Sequence, residues 1–182
     1  RFRGGYLSPY LITDQDRHVA VLDDPYIVVG EIRFESTEAI QHILEQVIKA
    51  GGKSVFFAVR GMSDKALSML VANNEQGIIT SCAASLKPVG EERSGTFQNI
   101  ALLTGATFLD DKHGWSEMDV RLSDMGRASR VTVTRETFTI AGGRGDRTLC
   151  EERRRELRAR LRASHDPEER ATLRTLLKHF SG

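Results

Sequence analysis

Five histidines, two cysteines and two pairs of neighbouring carboxylates are the side chains of this sequence best suited to acid–base, nucleophilic or metal chemistry. Their spacing supports none of these. His18, His42, His113, His165 and His179 are scattered, and none forms H-E-x-x-H or stands at ligand spacing from a cysteine. Cys82 and Cys150 are far apart in sequence, so they make neither a disulfide framework nor a metal knuckle. Ser8 and Ser94 lack a nucleophile-elbow context. Asp110-Asp111 and Glu91-Glu92 read as solvated neighbours on surface turns. The sequence holds no G-x-x-x-x-G-K-[ST] phosphate loop and no strand–G-x-G-x-x-G–helix unit. Gly142, Gly143 and Gly145 follow an apolar stretch but read as a turn, and Arg144-Gly145-Asp146 reads as a chance tripeptide. On these residues the expectation is no catalytic residue, no metal site and no cofactor held by this chain.

Composition narrows the class of partner. The 182 residues suffice for a buried core without metal or disulfide help. Apolar residues make up 40% and charged residues 28%, with a formal net charge of +1, which points to neither nucleic acid nor an anionic membrane. No apolar run approaches the roughly 20 residues that span a bilayer, and no signal-peptide pattern is present. Lone cysteines fit a reducing compartment, hence a cytoplasmic location or, as the alternative, an organelle matrix or stroma. Arg1 stands where a whole protein would carry Met, which suits a segment of a longer protein.

The elements follow from apolar periodicity and turn chemistry. Residues 6–12 read as extended, because the residue before Pro9 is driven from helix. Strands are predicted at 19–22 and 26–29, around an Asp23-Asp24-Pro25 turn, and again at 55–59, 78–83, 131–134 and 137–140. Ser36 or Thr37 caps a helix to about residue 50, ended by Gly51-Gly52. Ser63 or Asp64 caps a second to residue 76, closed by Gly77, and a third covers 92–103. The alternation indicates an α/β body over 1–143. Beyond it the composition turns to Arg, Glu and spaced leucines, which gives a closing helical hairpin over 149–180 broken at Asp166-Pro167.

Two helices carry more apolar surface than one-sided packing needs. On the first, Ile40, Ile43 and Val47 make a seating face, with Leu44 and Ile48 beside it. On the second, Ala66, Met69 and Leu70 seat the helix, Leu67 and Val71 lie on an adjacent face, and Ala72 is at the edge. Such arcs either contact both a sheet and a neighbouring helix, or leave a shallow groove open to another chain.

Four segments then carry a resemblance. Gly5-Tyr6-Leu7-Ser8-Pro9-Tyr10, the run Ala66 to Asn73 followed by Gly77-Ile78, the run Gln98 to Gly105, and Leu122 to Ala128 followed by Arg130-Val131 are similar to four segments, in the same order, of the apical domain of group I (GroEL-type) chaperonins. The resemblance implies a single apical domain over 1–182, a three-layer β/β/α fold with groove-forming helices, and the C-terminal hairpin as its closing pair. It implies binding of unfolded or partly folded polypeptides and of a co-chaperonin loop, within a homo-oligomeric ring. ATP and Mg would belong to the full-length parent only. The positions that match the family's polypeptide-binding residues are Tyr6, Tyr10, Leu11, Gln41, Leu44, Leu67, Val71 and Ala72. Leu44, Leu67 and Val71 are expected to be partly exposed.

Departures accompany the match. Gln41 stands where the family usually has an apolar residue and Ala72 where it has a larger one; Ile40 or Ile48 is the alternative contact to Gln41. The segment 86–93 lacks the family's Gly-Phe-Gly and adjacent arginines, as in a divergent member or specialised paralogue. The rival reading is a nucleic-acid module using Arg153, Arg154, Arg155, Arg158, Arg160 and Arg162. Glu151, Glu152, Glu156, Glu168 and Glu169 dilute those charges, and aromatic stacking residues are missing there, so a solvated face laced with ion pairs is expected.

Overall fold

A computed structural model describes residues 1–181. The central strands are β3 (Tyr26–Phe34), β4 (Ser54–Met62) and β5 (Thr80–Leu86), paired in parallel, with β6 (Phe108–Asp110) parallel on the far side of β3. Their sequences are nearly continuous apolar runs, as strands covered on both faces require. Ile27, Val28, Val29, Val55, Phe56 and Phe57 are all buried. Two further short runs flank this set: β1 (Phe2–Tyr6) pairs antiparallel with β5, and β7 (Gly126–Arg127) with β3. The arm of β2 (Ala20–Asp23), β8 (Arg130–Val133) and β9 (Thr137–Ala141) joins through β1, giving the order β2-β8-β9-β1-β5-β4-β3-β6. Although distant from them in that order, β2 lies against β4 and β5, so the antiparallel arm folds back over the parallel strands. Phe138 of β9 meets Phe56 of β4 with ring centroids 5.3 Å apart.

Helices α1 (Thr37–Lys49) and α2 (Asp64–Gln76) connect β3 to β4 and β4 to β5, stepping one way across the sheet. Helix α3 (Gly90–Thr104) returns from β5 to β6, stepping back. Right-handed crossovers therefore put α3 on the face opposite α1 and α2. There it meets the hairpin of α4 (Arg147–Ala163) and α5 (Pro167–Lys178). Gly95 permits that contact, since a Cβ at this position would come within 2.8 Å of Leu176 Cδ1.

The hairpin has its own small apolar cluster of Leu157, Leu173 and Leu176. Polar contacts reinforce its docking on α3. The buried Asn99 amide accepts from Arg153 Nε at 3.1 Å and donates to the Leu176 carbonyl at 3.0 Å. Its NH2 group also lies 3.0 Å from His179 Nδ1. With the amide oxygen facing a guanidinium, the nitrogen must donate, so Nδ1 accepts and the imidazole is neutral. Three helices are thus tied at one side chain, and no buried side-chain polar atom among the described residues lacks a partner.

Several expectations are revised. The helices begin and end within two residues of their predicted bounds. The segment 6–12 is not extended throughout: Pro9–Leu11 forms a 3-10 turn, because the Ser8 hydroxyl accepts from the Tyr10 N–H and Pro9 is preset for a first helical position. Strands β3 and β4 run well past residues 29 and 59, since they go on pairing with each other to Phe34 and Met62, and β6 pairs with β3 as far as Glu31. Arg153 is not on a solvated face but buried against Asn99.

Burial pushes the His179 pKa down from its ordinary value to about 4. An unfolded histidine titrates near 6.5. Below that pH the unfolded chain takes up a proton that the folded chain refuses, so stability falls by up to about 1.4 kcal/mol per pH unit as pH drops from about 6.5 towards 4. Urea unfolding of wild type and His179→Gln at pH 7 and pH 4.5 checks this. The variant should lose less stability on acidification, and equal losses would contradict the assignment.

Candidate functional site

The surface feature assembled from the predicted residues is an open depression of about 450 Å³ between the Leu7–Tyr10 segment and α2. Its first wall is held from below. The Leu7 N–H donates to the Ala83 carbonyl of β5 at 2.8 Å, and Leu11 is wholly buried, so the Pro9–Leu11 turn is pinned at both ends while Tyr10 is left 78% exposed.

The second wall is one face of α2. The helix starts where Ser63 Oγ accepts from the Ala66 N–H at 3.2 Å and donates to the Glu35 carbonyl at 2.8 Å. It ends at Gly77, whose φ of 74° is the left-handed cap conformation. Ala66 and Leu70 are buried, which fixes the rotation of the helix. Asp64, Leu67, Ser68, Val71, Ala72 and Glu75 then face the depression. They recur three and four residues apart, the repeat of a single helical face. Leu67 and Val71 are half-buried, Ser68 and Ala72 leave the floor low, and a carboxylate stands at each end.

Of the eight residues predicted to bind, four meet here: Tyr10, Leu67, Val71 and Ala72. Tyr6 is half-buried and lines a different hollow with Arg17, His18 and Glu136. Gln41 is exposed on α1, with its amide 3.0 Å from Glu45. The expected exposure of Leu44 is corrected, since it is 2% exposed; Leu11, at 0%, is likewise out of reach of a ligand. Their burial has a common cause. Helix α1 packs on β3, β4 and α2 together, which covers its apolar arc from Ile40 to Val47, and Leu11 plugs its own turn into the core. Ile40 is buried too, whereas Ile48 is 39% exposed. The depression thus lies between α2 and the N-terminal segment rather than between the two helices. Leu7, Ser8, Pro9, Asp64, Ser68 and Glu75 also line the depression and were not among the eight expected binding positions. The spacing 64, 68, 71, 75 was the available signal for the α2 members.

Away from the depression, Asp110, Asp111 and Cys82 are paired or buried. Asp111 is held by Arg60 at 2.8 and 3.1 Å, and that guanidinium keeps its carboxyl below the usual range. Asp110 lies 2.6 Å from His113. The Cys82 thiol is buried and pushed up to about 12. Among the described residues no cluster of three or more His, Cys, Asp or Glu could hold a metal ion. No described helix is long and apolar enough to cross a membrane. The arrangement can hold an apolar stretch of chain by burial and dispersion.

The exposures predict a contrast in stability. Leu67→Ser and Val71→Ser should each shift unfolding by less than about 1 kcal/mol, because half-exposed side chains leave little cavity when shortened. Leu44→Ala should cost about 2–5 kcal/mol. Denaturant melts of the three variants measure this, and several kcal/mol lost in both serine variants would place α2's outer face in the core.

No family model matches the chain. Among curated proteins it is similar to Chaperonin GroEL 5 of Bradyrhizobium diazoefficiens, with 32% identity over 182 residues, all of this chain. It spans about a third (34%) of the length of that relative. The similarity to a GroEL-type chaperonin therefore runs the whole length of the chain.

Proposed function

We propose that this chain is the apical-type, polypeptide-binding part of a GroEL-type chaperonin and that non-native chains are held in the depression between Leu7–Tyr10 and α2. The observation that carries the reading is the convergence of Tyr10, Leu67, Val71 and Ala72 on one open apolar surface, in a chain similar throughout to a chaperonin. The fold is compatible with an apical β/β/α arrangement. An antiparallel arm lies over parallel strands, helices cover the sheet, and a hairpin closes α3.

In this reading the same surface takes a co-chaperonin loop, and several copies in a ring act on one client. Linked sites gain about 10²–10⁴ in avidity, so the isolated chain binds weakly. ATP and Mg belong to parts of a longer parent, and the chain acts in the cytoplasm or an organelle matrix. Three of the six hairpin arginines are committed within the fold: Arg153 is buried, Arg154 pairs with Glu151 at 2.8 Å, and Arg160 pairs with Glu91 and Glu169, which leaves Arg155, Arg158 and Arg162 exposed.

Titration of an uncharged, extended apolar peptide tests the proposal. Burying a Leu or Val fully is worth roughly 1.5–3 kcal/mol, so partial burial gives about 1 kcal/mol each. Leu67→Ser with Val71→Ser should weaken binding about tenfold or more with the fold intact, and salt should change it little. Normal binding by that double variant would place the site elsewhere. A steep loss with salt would favour phosphate recognition through the hairpin.

A further inference from the structure

The ends of the depression are chemically alike. Asp64 and Glu75 both line it, both are exposed, and among the described residues neither makes an ion pair or accepts a side-chain hydrogen bond. They lie three helical turns apart, about 16 Å, on one face of α2. An extended chain covers that distance in about five residues. Between them the surface is apolar or small: Leu67, Ser68, Val71 and Ala72. Tyr10, almost wholly exposed at the rim, offers an aromatic face that favours a cation.

The two carboxylates have different standing in the fold. Asp64 is in the first turn of α2, where a negative charge complements the helix dipole. Glu75 is in the last turn, where the dipole opposes an anion and where α2 carries no basic residue to offset it. Helix stability gives no reason for an acid at 75. Its one environment in the structure is the end of the depression.

We propose that the depression selects extended apolar segments flanked by lysine or arginine, with Asp64 and Glu75 receiving the two cations. This rests on the polypeptide-binding reading and adds a client chemistry to it. Apolar contact supplies the affinity, and the acidic ends discriminate against clients with acidic flanks and set the length of the bound stretch.

The test uses three fluorescent peptides that share one apolar core and are flanked by lysine, serine or glutamate, titrated against the chain by anisotropy. At low salt the lysine peptide should bind roughly threefold to tenfold tighter than the serine peptide, as two exposed ion pairs allow, and the glutamate peptide should bind weakest. The spread should contract as salt screens the pairs. Glu75→Gln should shrink the spread without lowering the thermal midpoint, which separates a binding role from a structural one. Equal affinities for all three peptides, or an unchanged spread in Glu75→Gln, would overturn the selectivity while leaving the apolar site standing. Failure of all three to bind would overturn the site and the selectivity together.

Discussion

Burial of Ala66 and Leu70 against the sheet is the contact on which the surface of this molecule depends. A helix can rotate about its axis at little cost until two residues one turn apart are locked into a core. Once they are, the directions of all others follow at about 100° per residue. Leu67 and Val71 are then set on the flank, Ser68 and Ala72 on the outer face, and the carboxylates at the ends. A bulkier residue at 66 would lift the helix, and the depression would change shape along its whole length without one of its lining residues being altered.

The opposite wall obeys a similar constraint. Leu11 is buried so that Tyr10 can be exposed. A 3-10 turn places consecutive side chains about 120° apart, which lets neighbours point to core and solvent within one turn. Ser8 and Pro9 make that turn inexpensive, one by capping it and the other by presetting φ. The depression is therefore walled by two short elements, each held by its back to the same sheet.

How much of this was legible in the sequence varies with the physics involved. Helix α2 was readable to within a residue at its start, where Ser63 rather than Asp64 is the cap, because Ser63 and Gly77 are local signals whose effect needs no partner. Strands β1 and β6 were missed: Phe2–Tyr6 carries two glycines, and Phe108–Asp110 is only three residues long, so both depend on pairing with distant strands. Leu44 shows the limit of the helical wheel. The wheel placed it correctly beside the seating face, but whether a flank residue is bare or covered depends on the neighbouring helix, and periodicity carries no information about neighbours. Arg153 failed for a related reason, since its partner Asn99 is more than fifty positions away in sequence. Tyr10, Leu67, Val71 and Ala72 converge because α2 and the Pro9–Leu11 turn pack on β5 and on each other, which is a property of the fold rather than of any local pattern.

Strand β1 joins the two parts of the sheet within five residues: Phe2 is opposite Phe138 of β9, and Gly4 to Tyr6 are opposite Leu86 to Ala84 of β5. Both partners are remote in sequence, and closing such long loops is slow compared with forming a helix or a hairpin. Phe2 and Phe138 are more than a hundred positions apart, so β1 has a complete ladder only after β9 has been made. Until then it exposes unpaired backbone groups, next to a parallel set that lacks its last neighbour. A molecule proposed to hold unfinished chains thus contains a strand, β1, that is itself slow to find its place.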